Sequence, residues 1–261
     1  MDDASEKRLR RSLIAFSGLD GAGKSTQIEL LRRRLRDRGV ETTVVWVRVG
    51  YTPAFSRLKS LARRLAGGHL PLPGPGKRRS AAFGRSWLRR AWLAGALLDV
   101  AWVLAVRVRL LRRRGRVVLC DRHLVDTLID LRLNFPMEAV ERWWLWRAVE
   151  RLVERPEASF MLLVPVAESQ RRSDLKGEPF RDAPDVLEAR LAHYRALAAS
   201  SRCTILDGSE PAADIAATIA ATVGLPPATD DAVLVVPAEG ERFVRLRTAI
   251  GDRLSGCEEV R

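Results

Sequence analysis

Eleven residues near the start of the chain, Phe16-Ser17-Gly18-Leu19-Asp20-Gly21-Ala22-Gly23-Lys24-Ser25-Thr26, have the types and spacing needed to hold a phosphate. The pattern G-x-x-x-x-G-K-[ST] is met at each fixed position from Gly18 to Ser25. Gly18, Gly21 and Gly23 let the backbone from Asp20 through Ala22 to Thr26 curl, so that several N–H groups point into one concavity. A helix starting there aims its positive end at the same point. Lys24 is expected to reach the β- and γ-phosphates of a nucleoside triphosphate, and the Ser25 hydroxyl to complete a magnesium shell.

Two further clusters carry chemistry. Asp121-Arg122-His123 follows the apolar run Val117-Val118-Leu119-Cys120. Asp121 there could hold magnesium or its water, or orient an acceptor, and Arg122 could grip a phosphate with a bidentate fork. The segment from Val166 to Arg181 is a helical turn bearing Arg171 and Arg172, then a glycine-broken loop with Lys176 and Arg181. Phosphoryl transfer needs cations around the moving group and the exclusion of water, so this segment reads as a lid.

Such groups must be positioned by elements, and the pattern of the chain supplies them. Ser12–Phe16, Glu41–Val49, Arg116–Cys120, Ser159–Val164 and Cys203–Asp207 read as short buried strands. Helical patterns alternate with them, including Ala54–Leu65, an apolar helix from Arg85 to Arg114, a stretch with Trp143, Trp144 and Trp146, Asp185–Ala199 and Pro211–Thr222. Alternation of this kind predicts an α/β fold with a parallel sheet covered on both faces, the ligands collecting at the carboxyl ends of the strands. The tryptophans are expected to be packing anchors. We divide the chain into a polar tail 1–11, one domain 12–223 and an appendage 224–261, with a flexible loop at 67–80 and the lid at 168–183.

Composition narrows the classes. The net charge of +13 is carried almost wholly by arginine and favours anionic partners, but aromatic residues do not interleave with the basic runs as a nucleic-acid platform requires. Cys120, Cys203 and Cys257 lack metal spacing and a disulfide framework, and the acidic start carries no signal peptide, which leads us to expect a cytoplasmic protein. The apolar run 91–106 is short for a membrane span and has Asp99 at its centre, so it is expected in the core. Its arginine flanks leave peripheral contact with an acidic membrane open.

Taken in order, Gly18 to Gln27, Asp121-Arg122-His123 and the Arg171-Arg172 lid resemble the thymidylate kinases over about Leu13 to Thr222. The resemblance implies a P-loop three-layer sandwich with a five-stranded parallel sheet, ATP with magnesium, γ-phosphoryl transfer to a nucleoside monophosphate, and a homodimer. It implies that Asp20 approaches the acceptor's 3′-hydroxyl, that Arg48 binds the acceptor phosphate, and that Asp121 and Arg122 lie between donor and acceptor. With Gly21 where some members carry arginine, it implies a subgroup whose lid supplies the cations, here Arg171, Arg172 and Arg181. The family usually has a serine and then A-Y-Q after the Asp-Arg pair; these places hold Asp126 and Ile129-Asp130-Leu131. Asp126 and Asp130 share a helical face, either beside an acceptor hydroxyl or paired with nearby arginines. Three readings stay open: a kinase of dTMP, a kinase of a sugar, nucleoside or glycan hydroxyl, and a nucleotide-gated module docking at a membrane or partner.

Overall fold

β1 (Leu13–Gly18) is buried along its whole length, and the reason is visible in its side chains. Ile14 and Phe16 join one apolar cluster while Leu13 and Ala15 join another, so both faces of the strand meet covering layers. A computed structural model describes residues 9–50, 86–176, 182–199 and 202–226. Its sheet contains β1, β2 (Thr42–Trp46), β3 (Val117–Asp121), β4 (Ala158–Leu163) and β5 (Thr204–Asp207), all parallel, in the order β2-β3-β1-β4-β5. The expected α/β sandwich with its five-stranded parallel sheet is present.

α1 (Lys24–Arg36) covers one face with α6 (Pro184–Ala198) and α7 (Ala212–Thr222), through Ile28, Leu31, Leu187, Leu191, Ile215 and Ile219. The other face is covered by α2 (Ser86–Arg113) and α4 (Trp144–Leu152). α3 (Leu124–Asn134) and α5 (Val166–Leu175) follow the carboxyl ends of β3 and β4. Among the described residues α2 is long and apolar enough to cross a membrane, yet Leu93, Leu97, Val100, Leu104 and Val108 are buried against the sheet, as expected of a core helix. Its middle, Trp102–Arg107, winds as a π-helix.

Two expectations change. Strand β2 ends at Trp46 rather than Val49, although Val47 N still donates to Asp121 O at 3.1 Å. Of the three tryptophans, Trp146 is buried and Trp143 half-buried with its indole N–H on Glu138 O at 3.0 Å, but Trp144 is exposed. Trp144 and Trp146 are two apart on the helix that starts at Trp144, so they point to opposite sides and burying one turns the other outward. The helix placed at 54–65, the loop at 67–80, Arg181 and residues 227–261 lie outside the described residues.

Candidate active site

The loop between β1 and α1 is built on glycine for steric reasons. Gly18 has φ +141, and a Cβ there would lie 2.2 Å from Leu162 O on the neighbouring strand. Gly21 has φ +76, and its Cβ would meet Ser169 O of α5 at 2.7 Å. Any other residue would push the loop off the sheet or off the lid helix. The turn delivers Lys24 at the start of α1, where it is buried. Its Nζ donates to the carbonyls of Gly18 at 2.9 Å and Leu19 at 2.6 Å, and lies 3.9 Å from Asp20. Burial pulls its pKa down, Arg122 pulls the same way, and Asp20, Asp121 and Asp126 resist.

The end of β3 faces this loop, as strand order requires. Arg122 takes a left-handed backbone, φ 77, which costs a non-glycine residue energy and marks the turn as constrained. Its N–H donates to Phe16 O at 2.9 Å, and its buried guanidinium forms an ion pair with Asp20. Burial would raise the Asp20 pKa, but Arg122, Lys24, Arg48 and Arg190 outweigh it and hold the carboxyl at about 2. Asp121 is in the opposite state. Burial raises its pKa against Lys24 and Arg122, and its buried Oδ1 has no hydrogen-bond partner among the described residues.

One cleft gathers Asp20, Lys24, Ser25, Asp121 and Arg122 with the loop glycines. Arg48 enters from beyond β2, and Trp46 and Lys176 complete the lining. Trp46 was not singled out by its sequence; its place at the carboxyl end of β2 is the signal that could have found it. The donor set suits magnesium: a hard cation takes oxygen ligands, Ser25 is exposed at the cleft, and Asp121 presents an under-compensated carboxylate.

Of the lid arginines among the described residues, neither Arg171 nor Arg172 lines this cleft. Arg171 makes a bidentate pair with Glu168, both contacts at 2.8 Å, and is exposed. Arg172 also bonds Glu168 and reaches the carbonyls of Gly208 at 2.8 Å and Gly21 at 3.4 Å. The bonds from Arg171 and Arg172 hold the half-buried Glu168 carboxyl at a pKa of about 2. Arg172 thus clasps the loop to the β5–α7 turn, and Ser169 Oγ adds a bond to Asp20 O at 2.7 Å.

Asp126 and Asp130 do share a face of α3, and both are buried and engaged. Asp130 pairs with Nη1 of Arg190 on α6, whose Nη2 lies 3.4 Å from Asp182. Asp126 Oδ2 accepts from Ser17 Oγ at 2.7 Å and His123 N at 2.9 Å, and Oδ1 accepts from the Tyr194 hydroxyl at 2.6 Å. Of the two alternatives read from the sequence, the contacts favour the pairing one. Tyr194 and Arg190 have no sequence signal, because their partners lie 68 and 60 residues away.

No family model matches the chain. Among curated proteins it is 29% identical over 177 residues to the probable thymidylate kinase of Pyrococcus horikoshii, covering 65% of this chain and 73% of that protein. It is 28% identical over 221 residues to the thymidylate kinase of Afipia carboxidovorans, covering 79% and 86%. To the thymidylate kinase of Pseudomonas entomophila it is 29% identical over 207 residues, covering 77% and 90%.

Proposed function

We propose that this chain, a thymidylate kinase-like nucleotide kinase, moves the γ-phosphoryl of magnesium-ATP to a nucleoside monophosphate, with dTMP as the leading acceptor. The observation that carries the reading is the meeting of Lys24, Asp121 and Arg122 in one cleft at the carboxyl ends of β1 and β3. Transfer to a phosphate anion needs no general base; positioning and charge compensation suffice. Lys24 and the loop N–H groups compensate charge on the transferring group, while Arg122 and Arg48 screen the acceptor phosphate. Asp20, 40% exposed at its side chain, is the carboxylate available to an acceptor hydroxyl. Magnesium, when bound, screens the phosphate oxygens, and Ser25 and Asp121 are the groups that would hold it.

Asp126 is engaged by Ser17, His123 and Tyr194 and Asp130 by Arg190, so neither serves as the base that a hydroxyl acceptor would ask of this helix face, and this supports a phosphate acceptor. The proposal takes residues 12–223 as the catalytic unit. Its test is ADP release from magnesium-ATP with dTMP, other nucleoside monophosphates and nucleosides in turn. Stimulation by dTMP that falls about 10³-fold in Lys24→Ala is the expected result. Stimulation by nucleosides alone would overturn the acceptor assignment.

A further inference from the structure

Four groups from four parts of the chain stand in a row beneath the loop. Lys24 Nζ donates to Gly18 O at 2.9 Å. The hydroxyl of Tyr194, fully buried on α6, lies 3.3 Å from the same carbonyl and 2.6 Å from Asp126 Oδ1. Arg122 Nη1, buried and without a hydrogen-bond partner among the described residues, lies 3.9 Å from that same Oδ1. A phenol has one proton, so Tyr194 can donate to the carboxylate or to the carbonyl but not to both. The shorter distance and the charge place the proton on the Asp126 side here.

Lys24 has three ammonium donors and spends two of them on loop carbonyls, so reaching both the β- and the γ-phosphate requires it to release one. Turning to a phosphate, it withdraws a donor from the buried Gly18 carbonyl, and leaving such an acceptor short is costly. The Tyr194 hydroxyl is the neighbouring group able to take its place. In doing so it vacates Asp126 Oδ1, and the unpartnered Nη1 of Arg122 is the donor nearest to fill that place. From this arrangement we propose that Tyr194 is a positioning residue that couples the two halves of the site: the departure of Lys24 from Gly18 is passed through Tyr194 and Asp126 to the guanidinium of Arg122. Nucleotide binding on one side thereby sets the acceptor-side arginine on the other. The inference rests on the nucleotide-binding reading given above.

The test uses the full chain with its tyrosines labelled at Cζ, whose carbon resonance follows the hydrogen bond of the phenol. The chain has only two tyrosines, Tyr51 and Tyr194, and Tyr194→Phe assigns the signal by removing it. Saturation with magnesium and a non-hydrolysable ATP analogue is verified by calorimetry. The Tyr194 resonance is expected to move on saturation and to stay in place in Lys24→Ala titrated to the same analogue concentration. An unmoved resonance in the saturated wild type overturns the relay while leaving nucleotide binding intact. No calorimetric binding at all overturns the nucleotide reading and the relay with it. In parallel, the analogue should tighten dTMP binding about fivefold in the wild type, an ordinary size for coupled sites. That factor should fall to about one in Tyr194→Phe and persist in Ser17→Ala, which removes a different donor from the same carboxylate. Equal loss of the factor in both variants would reduce Tyr194 to a packing role and overturn the proposal.

Discussion

The two ends of the sheet use the same residue types to opposite effect. At the amino end, Arg112 spans Glu154 and Glu157, Arg109 adds a second contact to Glu154 at 3.1 Å, and Glu157 in turn accepts from Leu13 N at 2.6 Å. Each carboxylate there is matched by a guanidinium, and α2 is tied to the starts of β1 and β4. At the carboxyl end, Asp20, Asp121 and Asp126 share Lys24 and Arg122, yet Asp121 Oδ1 and Arg122 Nη1 have no hydrogen-bond partner among the described residues. Saturated ion pairs hold a shape and have nothing left to offer a ligand. Unsaturated ones cost the fold stability, and that cost is recovered only when charge arrives from outside.

Asp121→Asn tests this contrast most severely. Removing a half-buried charge that the site under-compensates should stabilise the protein to chemical denaturation by about 1 kcal/mol while turnover falls about 10³-fold. A loss of both stability and turnover would make Asp121 a structural residue like Glu157. His123 gives the next largest effect. Burial lowers its pKa to about 4, so it is neutral in the fold but takes a proton in the unfolded chain below about pH 6.5. Unfolding then binds protons, and about 3 kcal/mol of stability should be lost between pH 6.5 and 4. Denaturation curves across that range, with His123→Asn as the comparison, should show this slope flattened in the variant. The smallest effect belongs to the amino end. Arg112→Ala should lower stability by about 2 kcal/mol and leave turnover unchanged, since the cluster it breaks lies far along the strands from the cleft.

Whether a feature can be read from sequence depends here on how local its cause is. The phosphate loop was legible because its geometry is set by glycines and a lysine within nine residues; Gly18, Gly21 and Gly23 all have positive φ and Lys24 opens α1. Asp121 and Arg122 were legible because the end of a buried strand locates them without knowledge of any partner. The pairing of Arg171 and Arg172 had a local cue that the lid reading did not use: Glu168 lies three and four residues earlier on the same helix, the spacing at which opposite charges meet. The partners of Asp126 and Asp130 were beyond reach. They come from α6, whose placement over α3 is decided by packing across the whole layer. The same holds for Tyr194, which in sequence is one apolar helix residue among several.

The π-wound turn in α2 has a consequence for what the helix shows to solvent. Eight residues of unbroken α-helix leave a side chain about 80° away from the direction in which the count began. Trp102 and Leu110 are eight apart, and both are exposed, in line with Leu98 one turn earlier. The wider turn slows the angular advance by about one residue and returns Leu110 to within about 20° of Trp102. It also lets Val103, Leu104 and Ala105 face inward in succession. The helix therefore behaves as two cylinders joined out of phase, the first seated by its apolar residues and the second by Val108 and Leu111 together with the ion pairs of Arg109 and Arg112. Deleting one residue between 102 and 107 would rotate the second cylinder against the first, carrying both arginines away from Glu154 and Glu157 while leaving the composition of the helix almost untouched.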